Sequence, residues 1–162
     1  MARLSLVGFL LVALAAFACG DGAGEGGADA GPGGGGATYD ELDAELQELF
    51  DLINEEREAA GVSPVALRGD LVCAAQVHSD DIGDTQTCSH DGSDGSEFPD
   101  RVRACDGDSV TAETVACGQQ SPRAAVDGWL NSPPHRDIML GAGRRHVGIG
   151  VHQNYWTAVY DD

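Results

Sequence analysis

Apolar side chains at Leu42, Leu46, Leu49, Phe50 and Ile53 recur at the spacing of one helical face. Acidic residues gather at the start of this stretch, where the helix dipole favours them, Gly61 marks its end and Pro64 forbids easy continuation. A second helix is predicted from about Asp70 to Ile82, with Leu71, Ala75, His78 and Ile82 turned inward. Ser121 and Pro122 supply the N-cap and first position of a third, whose apolar face is Ala125, Val126, Trp129 and Leu130 and which ends at Pro133-Pro134.

Towards the C-terminus the period changes from helical to alternating. Val147, Ile149 and Val151 alternate with Gly148, Gly150 and His152; after Gln153-Asn154, Trp156, Ala158 and Tyr160 alternate with Tyr155, Thr157 and Val159. This pattern predicts a β-hairpin. Residues 83–108 are polar, rich in Gly and Asp, and read as a loop. Helices first and strands later, in one short stretch, predict an α+β domain rather than a βαβ succession.

The N-terminal 38 residues have another character. Arg3 precedes an apolar run from Leu4 to Ala18, too short to span a bilayer comfortably and closed by small residues, so residues 1–18 read as a secretory signal peptide. Ala16-Phe17-Ala18 fits a signal-peptidase site, and small residues ahead of Cys19 fit lipidation of that cysteine in a bacterial lipoprotein. Residues 20–38 hold ten glycines and no bulky apolar side chain. With Cys19 they form a flexible linker, with an average reach of about 25 Å. The folded domain is expected at residues 39–162, long enough for a single core.

Five cysteines bear on the export route: Cys19, Cys73, Cys88, Cys105 and Cys117. Lipidation of Cys19 leaves an even four in the domain, which predicts two disulfides with three possible pairings. All nine basic residues are arginine, against 27 acidic ones, for a formal net charge of −18. Such a surface repels phosphates and anionic headgroups, which excludes nucleic acid as a partner and leaves the N-terminal lipid as the membrane contact.

Five blocks in order, "LINEEREAAGVSPVALRGDLVCAAQVHSDDI", "CSHDGSDGSEFPDRVRAC", "AETVACG", "AVDGWLNSPPHRDIML" and "HVGIGVHQNYWTAVY", resemble a bacterial CAP (SCP-like, pathogenesis-related-1-like) domain from Leu49 to Tyr160. The resemblance implies an α-β-α sandwich with a small antiparallel sheet between helical layers. It also implies a cavity lined by two histidines and two acids, which in some members binds a divalent metal such as zinc. By motif these positions fall on His90 in "CSH", Glu113 in "AET" and His135 in "SPPHR", while Ser132 stands where many eukaryotic members carry the second acid. The usual "GEN" reads Ala112-Glu113-Thr114 here.

The residue types allow several chemistries. Two neutral imidazoles and a carboxylate can hold zinc with water in the fourth position, so His90, His135 and Glu113 are the candidate metal ligands. The same groups can instead form a hydrogen-bonded cluster lining a cleft. Ser132, His135 and Glu113 contain the types of a hydrolase triad, yet Ser132 lacks a GxSxG elbow and can as well cap a turn starting at Pro133. His78, on the inward face of the second helix, reads as a core histidine hydrogen-bonded once, and His146 and His152 read as surface or edge residues. Pro133 and Pro134 stiffen the backbone ahead of His135, and Ile138, Met139 and Leu140 anchor its turn in the core.

The expectation is an exported, lipid-anchored protein of the cell envelope, or else a secreted one. Its cleft at His90, Glu113, Ser132 and His135 would bind a small hydrophobic ligand or an envelope component. The alternative is a metal-dependent hydrolase acting on envelope or extracellular material, in which Glu113 activates a zinc-bound water.

Overall fold

The computed structural model describes residues 37–162. The expected signal peptide, Cys19 and nearly all of the glycine-rich linker lie outside the described residues. A 3-10 turn at Tyr39–Glu41 leads into helix α1, Ala44–Ala59, whose N-cap Asp43 accepts from the Leu46 amide. Then come β1 (Ala66–Leu67), α2 (Gly69–Thr85), α3 (Phe98–Ala104), β2 (Ala112–Cys117), α4 (Pro122–Asn131), α5 (Pro133–Met139), β3 (His146–His152) and β4 (Tyr155–Asp161). Ser121 caps α4 as expected, accepting from the Ala124 amide. Among the described residues no helix is long and apolar enough to cross a membrane.

Four strands form one sheet in the order β1-β3-β4-β2. The hairpin pairs β3 with β4 through Gln153 and Asn154, both at positive φ (49° and 65°) as a tight primed turn requires. β2 runs antiparallel to β4 and forms one edge. The sheet departs from the antiparallel expectation at its other edge, where β1 pairs parallel to β3. Two residues carry too little pattern to announce a strand; Ala66 and Arg68 are held there by backbone bonds to Arg145 and Val147.

Side-chain alternation sorts the helices into two layers. Val147, Ile149, Trp156, Ala158 and Tyr160 share a core with Leu46, Leu49 and Ile53 of α1, Val126 and Trp129 of α4, and Met139 of α5. On the opposite face Val159 packs with Leu71, Ala74 and Ala75 of α2 and Val102 of α3. α2 lies directly on β3 because Gly148 and Gly150 present no side chain: a Cβ on Gly148 would stand 1.9 Å from the Leu71 carbonyl carbon. The fold is thus an α-β-α sandwich.

The stretch expected to be loop, 83–108, contains α3. Glu97 and Asp100 form a reciprocal cap at its start and Pro99 occupies its first turn. Two disulfides, Cys73–Cys105 and Cys88–Cys117, tie this segment to α2 and to the end of β2. They select one of the three possible pairings.

Candidate functional site

Glu113 sits near the start of β2, paired with Val159 of β4, so its side chain points into the α2–α3 layer and is 4% exposed. An ionised carboxylate in that position requires partners. Arg101 of α3, itself 5% exposed, supplies one, with its Nη2 2.7 Å from Glu113 Oε2. The same guanidinium donates to the carbonyls of Ser96 and His90, at 2.8 and 3.0 Å, and so shapes the loop that carries His90.

His90 supplies the other partner. Its Nδ1 donates to Glu113 Oε1 at 2.9 Å, which leaves Nε2 free to meet solvent or ligand. The hydrogen bond to Glu113 raises the His90 pKa above the usual imidazole value. The loop reaches this position because Cys88, two residues earlier, is bonded to Cys117 at the far end of the strand that carries Glu113.

His135 arrives from the other layer. β2 is an edge strand and α5 packs against it, so a side chain from α5 can meet the α2-side loop around the edge. The His135 and His90 rings stand 6.1 Å apart, centroid to centroid, inclined by 52°. Partial burial, and then the neighbouring His90, lower the His135 pKa. Among the described residues its ring nitrogens have no hydrogen-bond partner. Pro133 and Pro134 open α5, and its C-terminal end is held by Arg57 of α1, which donates to the carbonyls of Met139 and Gly141 at 2.5 and 3.2 Å.

Ser132 occupies the N-cap position of α5, but its side chain makes no capping bond. Pro133 and Pro134 supply no amide at the first two helical positions, so only the third, at His135, could have bonded it. Nor does a hydrolase triad assemble. The carboxylate meant to orient His135 is engaged by His90 and Arg101, and among the described residues Ser132 Oγ has no hydrogen bond to His135.

His78 is fully buried and makes one hydrogen bond, from Nε2 to the Ser89 carbonyl at 2.9 Å. Burial lowers its pKa and so favours the neutral ring, which lies 3.8 Å from Glu113 Oε1, beyond hydrogen-bond reach. His78 therefore packs behind the site and fixes the residue before His90. No motif or spacing in the sequence marks Arg101 or Arg57 as part of this neighbourhood. The one signal for Arg101 is the requirement that a buried Glu113 find a cation, and no spacing rule says which.

The donor set does not fit zinc held by His90, His135 and Glu113. Both Glu113 oxygens already bond to cationic or donor groups, and a guanidinium 2.7 Å away opposes a divalent cation. Among the described residues no three His, Cys, Asp or Glu side chains converge as a metal would need. The arrangement instead sets two neighbouring imidazoles at the surface, His90 bonded to a buried ion pair and biased towards its charged form, His135 beside it and biased towards its neutral form.

Comparison with known proteins agrees with this architecture. The chain is 30% identical over 112 residues to the uncharacterized membrane protein YlbC of Bacillus subtilis, covering 68% of this chain and 32% of that protein. It is 30% identical over 115 residues to the uncharacterized protein YkwD of the same organism, covering 68% of this chain and 44% of that one. The chain thus spans less than half the length of these relatives. An extracellular protein containing an SCP domain from Bacillus anthracis str. Ames superposes with a TM-score of 0.69 at 27% identity, over 78% of this chain and 44% of that one. The family model of the cysteine-rich secretory protein family, CAP, matches residues 50–160, and the chain belongs to that family.

Proposed function

We propose that this protein is an exported, lipid-anchored binding module whose ligand seats on His90 and His135. The observation that carries the reading is the placement of those two imidazoles, 6.1 Å apart, with His90 bonded to the buried Glu113 of the Glu113–Arg101 pair. Groups held from behind by hydrogen bonds, disulfide and prolines lose little freedom when a ligand arrives, which favours binding. A small ligand of the cell envelope, with an apolar body and one polar group able to bond imidazole nitrogens, suits the pair. Zinc-dependent hydrolysis lacks support, because the carboxylate that would join the metal is engaged elsewhere. Export accords with two disulfides and with the apolar N-terminal run.

Native mass spectrometry of the full oxidised chain recovered from bacterial membranes tests the binding role, with His90→Ala and His135→Ala beside it. A co-purifying mass present in the parent and lost from both variants is expected; a mass retained in both would place the ligand elsewhere. The anchor has its own test. Cys19→Ser is expected to move the chain from the membrane fraction to the soluble exported fraction, and an unchanged distribution would rule out lipidation at Cys19.

A further inference from the structure

Two large apolar side chains stand exposed among the described residues, Tyr39 and Val77. Tyr39 has partners: its ring lies 5.9 Å from that of Phe50 and its hydroxyl donates to Asp51. Val77, 50% exposed, forms one wall of a groove of about 400 Å³ between α2 and α3, of a size that accepts a small ligand or a few side chains. Cys73 precedes it by one helical turn on the same face of α2, and the Cys73–Cys105 disulfide with Ala104 continues the apolar surface. Cys73 and Ala104 are exposed as Val77 is.

Two carboxylates flank this apolar strip. Asp94 and Asp100 line the groove, and both carboxyls are held below the usual range, Asp94 by hydrogen bonds from Ser96 and Asp100 by the Glu97 amide and then Arg103. The Arg103–Asp100 pair is exposed, so a competing cation displaces it at little cost. Arg101 lines the groove too, but its Nη atoms are committed to Glu113, His90 and Ser96. Its Nε is shielded from the groove, so the guanidinium offers an arriving partner no free donor.

We infer that the α2–α3 groove is a docking site for a basic segment of a partner protein. An aliphatic stem would lie over Val77 and the disulfide, and an ammonium or guanidinium against Asp94 and Asp100. The charge of the whole chain, −18 with no lysine, steers a basic partner towards it and turns an acidic one away. The inference is independent of the ligand at His90 and His135.

The test is fluorescence anisotropy of the full oxidised chain with a labelled alternating leucine–arginine hexapeptide. Val77→Ser is expected to weaken binding about fivefold and Asp94→Asn with Asp100→Asn about tenfold. The asparagine carbonyl can still accept from the Ser96 amide at 94 and from the Glu97 amide at 100, so α3 stays capped while the exposed bond from Arg103 is lost. Glu45→Gln with Glu48→Gln removes the same charge from exposed positions on α1 and is expected to leave the affinity unchanged. Equal weakening by the two double variants would reduce the effect to net charge and overturn the docking site, as would no binding by the parent.

Discussion

Arg101 Nη2 lies 2.7 Å from Glu113 Oε2, with 4% and 1% of the two side chains exposed, and this pair holds the His90 ring and its loop from behind. Two buried charges in contact offset each other's desolvation only while both are present. Arg101→Met leaves the buried Glu113 with only the His90 hydrogen bond and is expected to lose about 3 kcal/mol of stability. The double variant Arg101→Met with Glu113→Leu should lose less than the sum of the two single changes, by about 1–3 kcal/mol. Urea unfolding of the four proteins measures this; additivity would mean that the pair contributes no coupling.

His90 and His135 are expected to titrate in opposite directions from the usual imidazole value of about 6.5. The hydrogen bond to Glu113 raises His90, while burial and then His90 itself lower His135. The two shifts act on stability with opposite signs. The His90 contribution is fully present below its unfolded pKa and fades as pH rises through its higher folded value. The His135 contribution is present above its unfolded pKa and fades as pH falls through its lower folded value. NMR titration of the imidazole carbons reads both directly. Glu113→Gln should bring His90 down, and His135 should rise as its neighbour loses charge; two curves that ignore the substitution would disconnect the pair from Glu113.

Periodicity reveals α1, α2, α4 and the terminal hairpin, because each has enough turns or alternations for its apolar face to repeat. It cannot reveal α3. Seven residues between Phe98 and Ala104 give barely two turns, and their Gly- and Asp-rich setting reads as loop until Glu97 and Asp100 are recognised as a reciprocal cap. β1 is invisible for the same reason at two residues. At the site, family resemblance points to His90, Glu113 and His135, which the fold brings together around the edge of β2. It does not point to Arg101, whose contact with Glu113 is made between a helix and a strand, where no periodic spacing applies. With that arginine left out, a zinc set looks available.

The Cys88–Cys117 disulfide closes a 29-residue separation and joins the His90 loop to the end of β2. Loop closure of that length is expected to contribute about 3–4 kcal/mol by restricting the unfolded chain. Cys88→Ser with Cys117→Ser should lower the urea midpoint accordingly. It should also broaden the His90 imidazole resonances, since hydrogen bonds from His78, to Glu113 and from Arg101 would then have to hold the loop. Sharp, unshifted His90 signals in the variant would show that those bonds suffice and that the disulfide serves stability alone.

Gly148 and Gly150 determine how close α2 can come to the sheet. A Cβ on Gly150 would meet the backbone of Ala75 and Gln76 at 2.6 Å, and one on Gly148 would stand inside the Leu71 peptide. Backbone atoms in the middle of a helix cannot swing aside as a side chain would, so α2 must lift from β3. Lifting it would open the contact of Leu71 and Ala75 with Val159 and shift His78 away from the Ser89 carbonyl. Gly148→Ala is therefore expected to cost about 3 kcal/mol or more, well above the usual penalty of an overpacked core site. Gly143→Ala is the control, because the nearest atom to its added Cβ is Asp162 Oδ1 at 3.6 Å. Thermal unfolding separates the two: a Gly148→Ala protein melting with the parent would mean that α2 does not rest on that glycine and that the layer behind the site is set by other contacts.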